Sequence, residues 1–231
     1  GYSDMAVGIA LLLGFKIPMN FNAPLTADSM TDFWRRWHIS LSTWIRDYVY
    51  ISLGGNQKGT LRMYFNQMFA MTACGLWHGA SLNFVVWGVL HGALVCVHKF
   101  WSQTALKHDR RYHPSGIRRF VSVFITFHVL CFTWLFFRCK DFDAVWVMVK
   151  QMFTKFNPSV LPDVFMGYKY VFMLMIFALI THWIPDSWQN RCVRVLEKGG
   201  VFFSAIAITI VIFIIMQVKS SDIQPFIYFQ F

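Results

Sequence analysis

The sequence predicts an all-α fold, a polytopic integral membrane helical bundle with interfacial amphipathic helices. Three observations lead there. Of 231 residues, 56% are hydrophobic and 14% charged, where a soluble domain holds about 45–50% and about 25%. Uncharged runs as long as a bilayer is thick recur along the chain. The charges fall between those runs. The same composition excludes other classes. With 25 Phe, 10 Trp and 8 Tyr the chain is too apolar to stay disordered. Cys74, Cys96, Cys131, Cys139 and Cys192 are an odd set without a C-x-x-C pair, so they read as small buried hydrophobes rather than a disulfide framework. The net charge of +10 lacks the soluble basic face that nucleic acid requires. No nucleic-acid partner is expected, and the excess Lys and Arg instead report orientation and contact with the lipid bilayer.

Taken in order, residues 1–15 read as the tail of a helix already under way, with neither an initiator Met nor a basic leader. The chain is therefore expected to be a C-terminal piece of a longer protein, forming a single membrane domain over 1–231. In residues 30–48, Met30, Phe33, Trp34, Trp37, Leu41, Trp44, Ile45 and Tyr48 recur at steps of three and four, one face of an amphipathic helix. Ser29 with Asp32 makes its capping start, and Gly54-Gly55-Asn56 its stop. That helix should lie at the cytoplasmic interface or wedge against the bundle. Residues 63–98 are 36 positions without a formal charge, enough for two spans (63–79 and 83–98) broken near Gly79 to Asn83. Further spans are expected at 120–137, 170–185 and 201–218, and a weaker amphipathic helix at 143–156. Lys99, Lys107, Arg110, Arg111, Arg118 and Arg119 against Asp109 make 99–119 cytoplasmic. Alternation then puts 138–169 and 220–231 outside, with His38 at the cytoplasmic end and His78 deep in its span toward the outer side.

Ionisable groups inside a span are functional candidates by default. Here they are His78, His91, His98, His128 and His182. A neutral imidazole is the cheapest of them to bury, so a single one usually serves to hydrogen-bond across a helix interface. His78 stands apart through its surroundings, Gly75-Leu76-Trp77-His78-Gly79. Gly75 and Gly79, matched by Gly88 and Gly92 on the next span, would permit either close helix packing or passage of a ligand to the imidazole. His38 flanks the aromatic helix beside Trp34, Arg35 and Trp37. Serine-hydrolase, nucleotide and zincin motifs are missing, and no metal site is expected. The histidine count alone would also admit a membrane haem protein with bis-His ligation. The glycines and His78 would likewise admit a polysaccharide transporter or export channel.

Two blocks go further. Phe33-Trp34-Arg35-Arg36-Trp37-His38-Ile39-Ser40-Leu41-Ser42, running on through Trp44-Ile45-Arg46-Asp47-Tyr48 to Leu53-Gly54-Gly55-Asn56, resembles the signature of membrane-bound O-acyltransferases, most closely the alginate O-acetyltransferase branch. Gly75 to Ala80, with Asn83-Phe84 and Trp87-Gly88, is similar to that family's catalytic segment. The opening Gly1 to Met5 and the ending Pro225 to Phe231 fit as well. Ser52 stands where the family usually has Pro, and Leu82 where Trp is common. The resemblance implies a multi-pass enzyme of the bacterial cytoplasmic membrane. Such an enzyme takes an acyl group from a cytoplasmic thioester, acetyl-CoA or an acyl carrier, and passes it to a hydroxyl of an exported polysaccharide. No bound cofactor is implied. It also implies catalytic roles for His78, as general base, and for His38. Trp77, Asn83 and Trp44 are candidate substrate-binding residues, and an extracytoplasmic esterase-like protein is a candidate partner for the 138–169 loop.

Overall fold

The computed structural model describes residues 2–105, 114–182 and 184–218. Lys107, Asp109, Arg110 and Arg111, which set the expected orientation, and the C-terminal segment 220–231 lie outside the described residues. What is described is helical, without a strand, and divides into two compact units, Gly1–Phe156 and Asn157–Phe231.

The first unit holds α1 (Tyr2–Leu12), α2 (Met30–Arg36), α3 (Ile39–Trp44), α4 (Thr60–His78), α5 (Leu82–Phe100), α6 (Gly116–Arg138) and α7 (Phe142–Thr154). At its centre α4 and α5 form an antiparallel hairpin turned at Gly79-Ala80-Ser81, where the Ser81 hydroxyl caps α5 by accepting from the Asn83 N–H. Each is 19 residues long, or about 28 Å at 1.5 Å per residue. The glycines set how closely they pack. A Cβ on Gly75 would collide with the Phe84 carbonyl oxygen, and one on Gly88 would stand 2.5 Å from the Met71 carbonyl oxygen. Of the two roles open to this small-residue face, Gly75 and Gly88 take helix packing.

Three helical stretches among the described residues are long and apolar enough to cross a membrane: Leu82–Thr104, Gly116–Arg138 and Asn190–Phe213. The helix at the expected 63–79 span, α4, is not one of them. Asn66, Gln67 and Thr72 interrupt its apolar surface, and Asn66 is fully buried, its amide donating to the carbonyls of Leu53 and Gly55 at 3.2 and 3.0 Å.

The expectation of one helix over 30–48 is corrected. Ser29 does cap α2, accepting from the Asp32 N–H, a contact worth about 1 kcal/mol. The helix then stops at Arg36. Trp37 is extended, and His38 is left-handed at φ 45° before α3 begins. The cause is tertiary. An extended segment draws the backbone out of helix: Asn22 N–H donates to Arg36 C=O at 2.9 Å, and Ile39 N–H to Asn20 C=O at 2.9 Å. Apolar spacing continues across the break because both arms face the same bundle. After α3 a π-helical stretch, Ile45–Tyr50, leads to Gly54 and Gly55, both at positive φ. Thr31 bonds His98 near the end of α5, while His38 lies against Trp77 at the end of α4. The segment is thus a bent wedge along the hairpin with His38 at its apex. Phe33, fully buried, anchors it with Leu130 and Val95.

On α7, capped by Asp141, Val145 of the expected apolar stripe is buried and Val149 half-buried against the core, whereas Met152, Phe153 and, beyond the helix end, Phe156 are exposed. Cys74 is buried, but Cys131 and Cys192 are exposed, against the expectation that the cysteines are core hydrophobes.

In the second unit, α8 (Leu161–Gly167) and α9 (Lys169–His182) meet at a bend of 82°. The expected span at 170–185 falls on the 14-residue α9, about 21 Å long and too short to cross alone, but together with Pro158–Gly167 it is long and apolar enough for a broken span or a re-entrant loop. The expected 201–218 span is the second part of α10 (Asp186–Val218), which kinks at Gly200, φ 64°.

Candidate functional site

Sequence alternation separates His38 and His78 across the membrane; the structure brings them to one end. Trp77 joins them, with ring centroids 6.2 Å from His38 and 4.8 Å from His78. His38 occupies a conformation uncommon for a residue with a Cβ. It is held there by the backbone bonds of its neighbours and by Phe21, 6.0 Å away. Partial burial holds its pKa below 6.5, opposed by a smaller backbone hydrogen-bond effect, and so favours the neutral ring. His78 is the last residue of α4. It packs edge-on against Trp87 at 5.4 Å and Phe137 at 5.0 Å, with Phe84 at 6.2 Å. Its Nδ1 is buried and has no hydrogen-bond partner among the described residues.

The remaining sequence candidates divide. Trp77 is half exposed and lies between the histidines. Asn83 is 2% exposed and holds α6, its amide nitrogen donating to the Cys139 carbonyl at 3.0 Å. Trp44 is exposed and pairs with Tyr48 at 5.4 Å; among the described residues no ring contact joins it to either histidine. His91, fully buried, accepts at Nδ1 from the Trp34 indole at 3.2 Å and meets Thr133 Oγ1 at Nε2, 2.9 Å. Both ring nitrogens are occupied, so His91 is a tie across α2, α5 and α6 and not a free metal ligand. His128 is exposed on α6 and bonds the Phe124 carbonyl. The sequence reading passed over Trp87 as a site residue, although Asn83, Trp87 and His91 fall at steps of four on α5. That row was the available signal.

A cavity of about 560 Å³ runs beside these groups. Along α4 its wall is Met63, Gln67, Met71 and Cys74, ending one turn short of His78, with Ile39, next to His38, on the opposite wall. At the other end stand Arg35, His98 and Lys99; Arg46, also on the wall, is ion-paired with Asp47 at 2.7 Å. Lys99 donates to Gln67 at 3.2 Å and lies 5.5 Å from the Tyr50 ring centre. Its described wall includes no carboxylate. An anionic head group fits the cationic end, and a thin apolar arm fits the Met-lined stretch that leads toward the two histidines.

Residues 1–147 match the model of the MBOAT, membrane-bound O-acyltransferase family. The chain is 46% identical over 154 residues to the "Probable alginate O-acetylase AlgI" of Azotobacter vinelandii, covering 67% of this chain and 29% of that protein. A protein of the same name from Pseudomonas putida is 32% identical over 250 residues, covering 100% of this chain and 50% of its own length. A "Peptidoglycan O-acetyltransferase" of Helicobacter pylori is 40% identical over 152 residues, covering 66% and 28%. The chain thus spans half or less of the length of these relatives.

Proposed function

The chain belongs to the membrane-bound O-acyltransferase family, and from that premise we propose that its parent protein moves an acetyl or other short acyl group from a thioester donor to a hydroxyl of an exported polysaccharide. One observation supports this above the others: His38 and His78 flank Trp77 beyond the apolar end of a cavity whose other end is cationic. The donor, acetyl-CoA or a carrier-bound acyl group, enters from the cytoplasmic side with its phosphate toward Arg35 and Lys99. Its thioester reaches the histidine pair. His78 takes the proton of the acceptor hydroxyl, the hydroxyl oxygen bonds to the acyl carbon, the carbon–sulfur bond breaks, and the proton passes to the departing thiolate. Base catalysis of this kind contributes about 10²- to 10⁴-fold. His38, neutral through desolvation, donates to the carbonyl oxygen as charge develops there. The enzyme resides in the bacterial cytoplasmic membrane. The exposed face of α7, with Trp146 and Phe153, receives an extracytoplasmic esterase-like partner, which cross-linking from Trp146 would capture.

The test is the ester content of surface polysaccharide from cells expressing the full-length parent, wild type against His78→Ala at matched membrane abundance. Loss of ester with polymer yield held is the expected result. Persisting ester would remove His78 from the reaction, and loss of the polymer itself would favour an export channel.

A further inference from the structure

Three buried side-chain atoms around His78 have no hydrogen-bond partner among the described residues: His78 Nδ1, Trp87 Nε1 and Asn83 Oδ1. They belong to one cluster. Trp87 and Asn83 sit one turn apart on α5 and are each 2% exposed. His78 packs on Trp87, Phe137 packs on both, and Asn83 holds Cys139, two residues beyond Phe137. Buried polar atoms left unpaired cost about 1–3 kcal/mol each, so three in one place call for an account.

Their chemistry is complementary. The bond to Cys139 uses the Asn83 amide nitrogen, so the buried Oδ1 remains as an acceptor with two lone pairs. An indole N–H only donates, and imidazole Nδ1 can do either. If Trp87 donated to His78, the Asn83 oxygen would stay unpaired and the proton would sit on Nε2. If Asn83 Oδ1 accepts from both rings, all three atoms are satisfied. We infer that Asn83 and Trp87 are positioning residues that set the tautomer of His78: Asn83 Oδ1 accepts the Nδ1 proton, with the Trp87 indole as its second donor, and leaves Nε2 bare toward the substrate. Small side-chain rotations or one bridging water close the set. Asn83 then stands behind the base rather than against the substrate, and the hydrogen bond on one ring nitrogen decides the state of the other.

The inference rests on His78 acting as the base, and the test separates the two. In the full-length parent, kcat and KM for a thioester donor are measured for Trp87→Phe, Asn83→Leu, Asn83→Asp and His78→Ala. Trp87→Phe and Asn83→Leu should each lower kcat about 10- to 100-fold, the range seen when the partner orienting a metal-bound histidine is removed, with KM within about twofold. Their double variant should fall little below the worse single, because both act through one nitrogen. Asn83→Asp loses the bond to Cys139 just as Asn83→Leu does but keeps an acceptor, so it should restore most of kcat. Overturning results are kcat within about threefold of wild type in Trp87→Phe and Asn83→Leu, or equal losses in Asn83→Asp and Asn83→Leu. Either of these with an inactive His78→Ala removes the tautomer role alone; an active His78→Ala removes the base as well. Should Asn83→Leu fail to accumulate, Trp87→Phe decides by its kcat alone.

Discussion

The indole of Trp34 donates to Nδ1 of His91 at 3.2 Å, and His91 passes the connection to Thr133 at 2.9 Å. Because an indole cannot accept, this bond fixes His91 as a neutral ring whose Nε2 proton goes to Thr133, whose hydroxyl in turn donates to the Leu130 carbonyl at 3.0 Å. Three helices are joined by one chain of donors, fully buried at His91 and Thr133 and half-buried at Trp34. Trp34→Phe keeps the ring but strands the Nδ1 acceptor, so it should cost about 1–3 kcal/mol. Unfolding of the full-length protein in detergent measures this. Unchanged stability would mean that the bond contributes little.

The α4–α5 hairpin leaves no room for a methyl group at its crossing. Gly75→Ala and Gly88→Ala each place a Cβ against backbone carbonyl oxygen, which no side-chain rotation relieves. Each should destabilise by about 1–3 kcal/mol or more. Gly8→Ala, where nothing lies within 4 Å, should not. Thermal midpoints of the three variants give the comparison, and a neutral Gly88→Ala would contradict the packing described.

His38 supplies a pH dependence with a definite sign. Its pKa is depressed below 6.5 chiefly by desolvation, so between the folded and unfolded pKa values the unfolded chain binds more protons. Its contribution to stability is complete above about pH 6.5 and is lost as pH falls toward the lower folded value. His38→Gln should flatten that loss. Thermal midpoints between pH 5 and 8 for both proteins check it, and parallel curves would show that His38 is not desolvated.

At the cationic end of the cavity, Arg35→Gln removes one positive charge from the wall. A hydrogen bond to a charged group is worth about 1.5–3 kcal/mol, so KM for the thioester donor should rise about 10-fold or more with kcat little changed. A fall in kcat at constant KM would place Arg35 in the chemistry instead.

Much of this arrangement is legible in the sequence because it follows from local rules. Uncharged runs gave α5 and α6 near the expected limits, Ser29 and Asp32 gave the start of α2, and Gly79 to Asn83 gave the hairpin turn. The failures share a physical origin. No periodicity reveals that Asn20 and Asn22 bond the backbone on either side of Trp37. The break that makes His38 an apex was therefore invisible, and so was its meeting with Trp77. Alternation of charge placed the histidines at opposite ends because it assumes that each segment between spans stays outside the bundle, and 30–50 does not. Of the substrate candidates, Trp77 does lie between the histidines, whereas Trp44 lies outside their ring contacts. Aromatic spacing alone cannot tell which side of a broken helix faces the site.

The role of His78 is tested by single-turnover acyl transfer by purified full-length protein from a thioester to a soluble acceptor saccharide, comparing wild type with His78→Ala at equal thermal midpoint. With His78 as the base, His78→Ala should still bind the donor but transfer at least about 10²-fold more slowly, the low end of what a general base contributes. Transfer at the wild-type rate would contradict it.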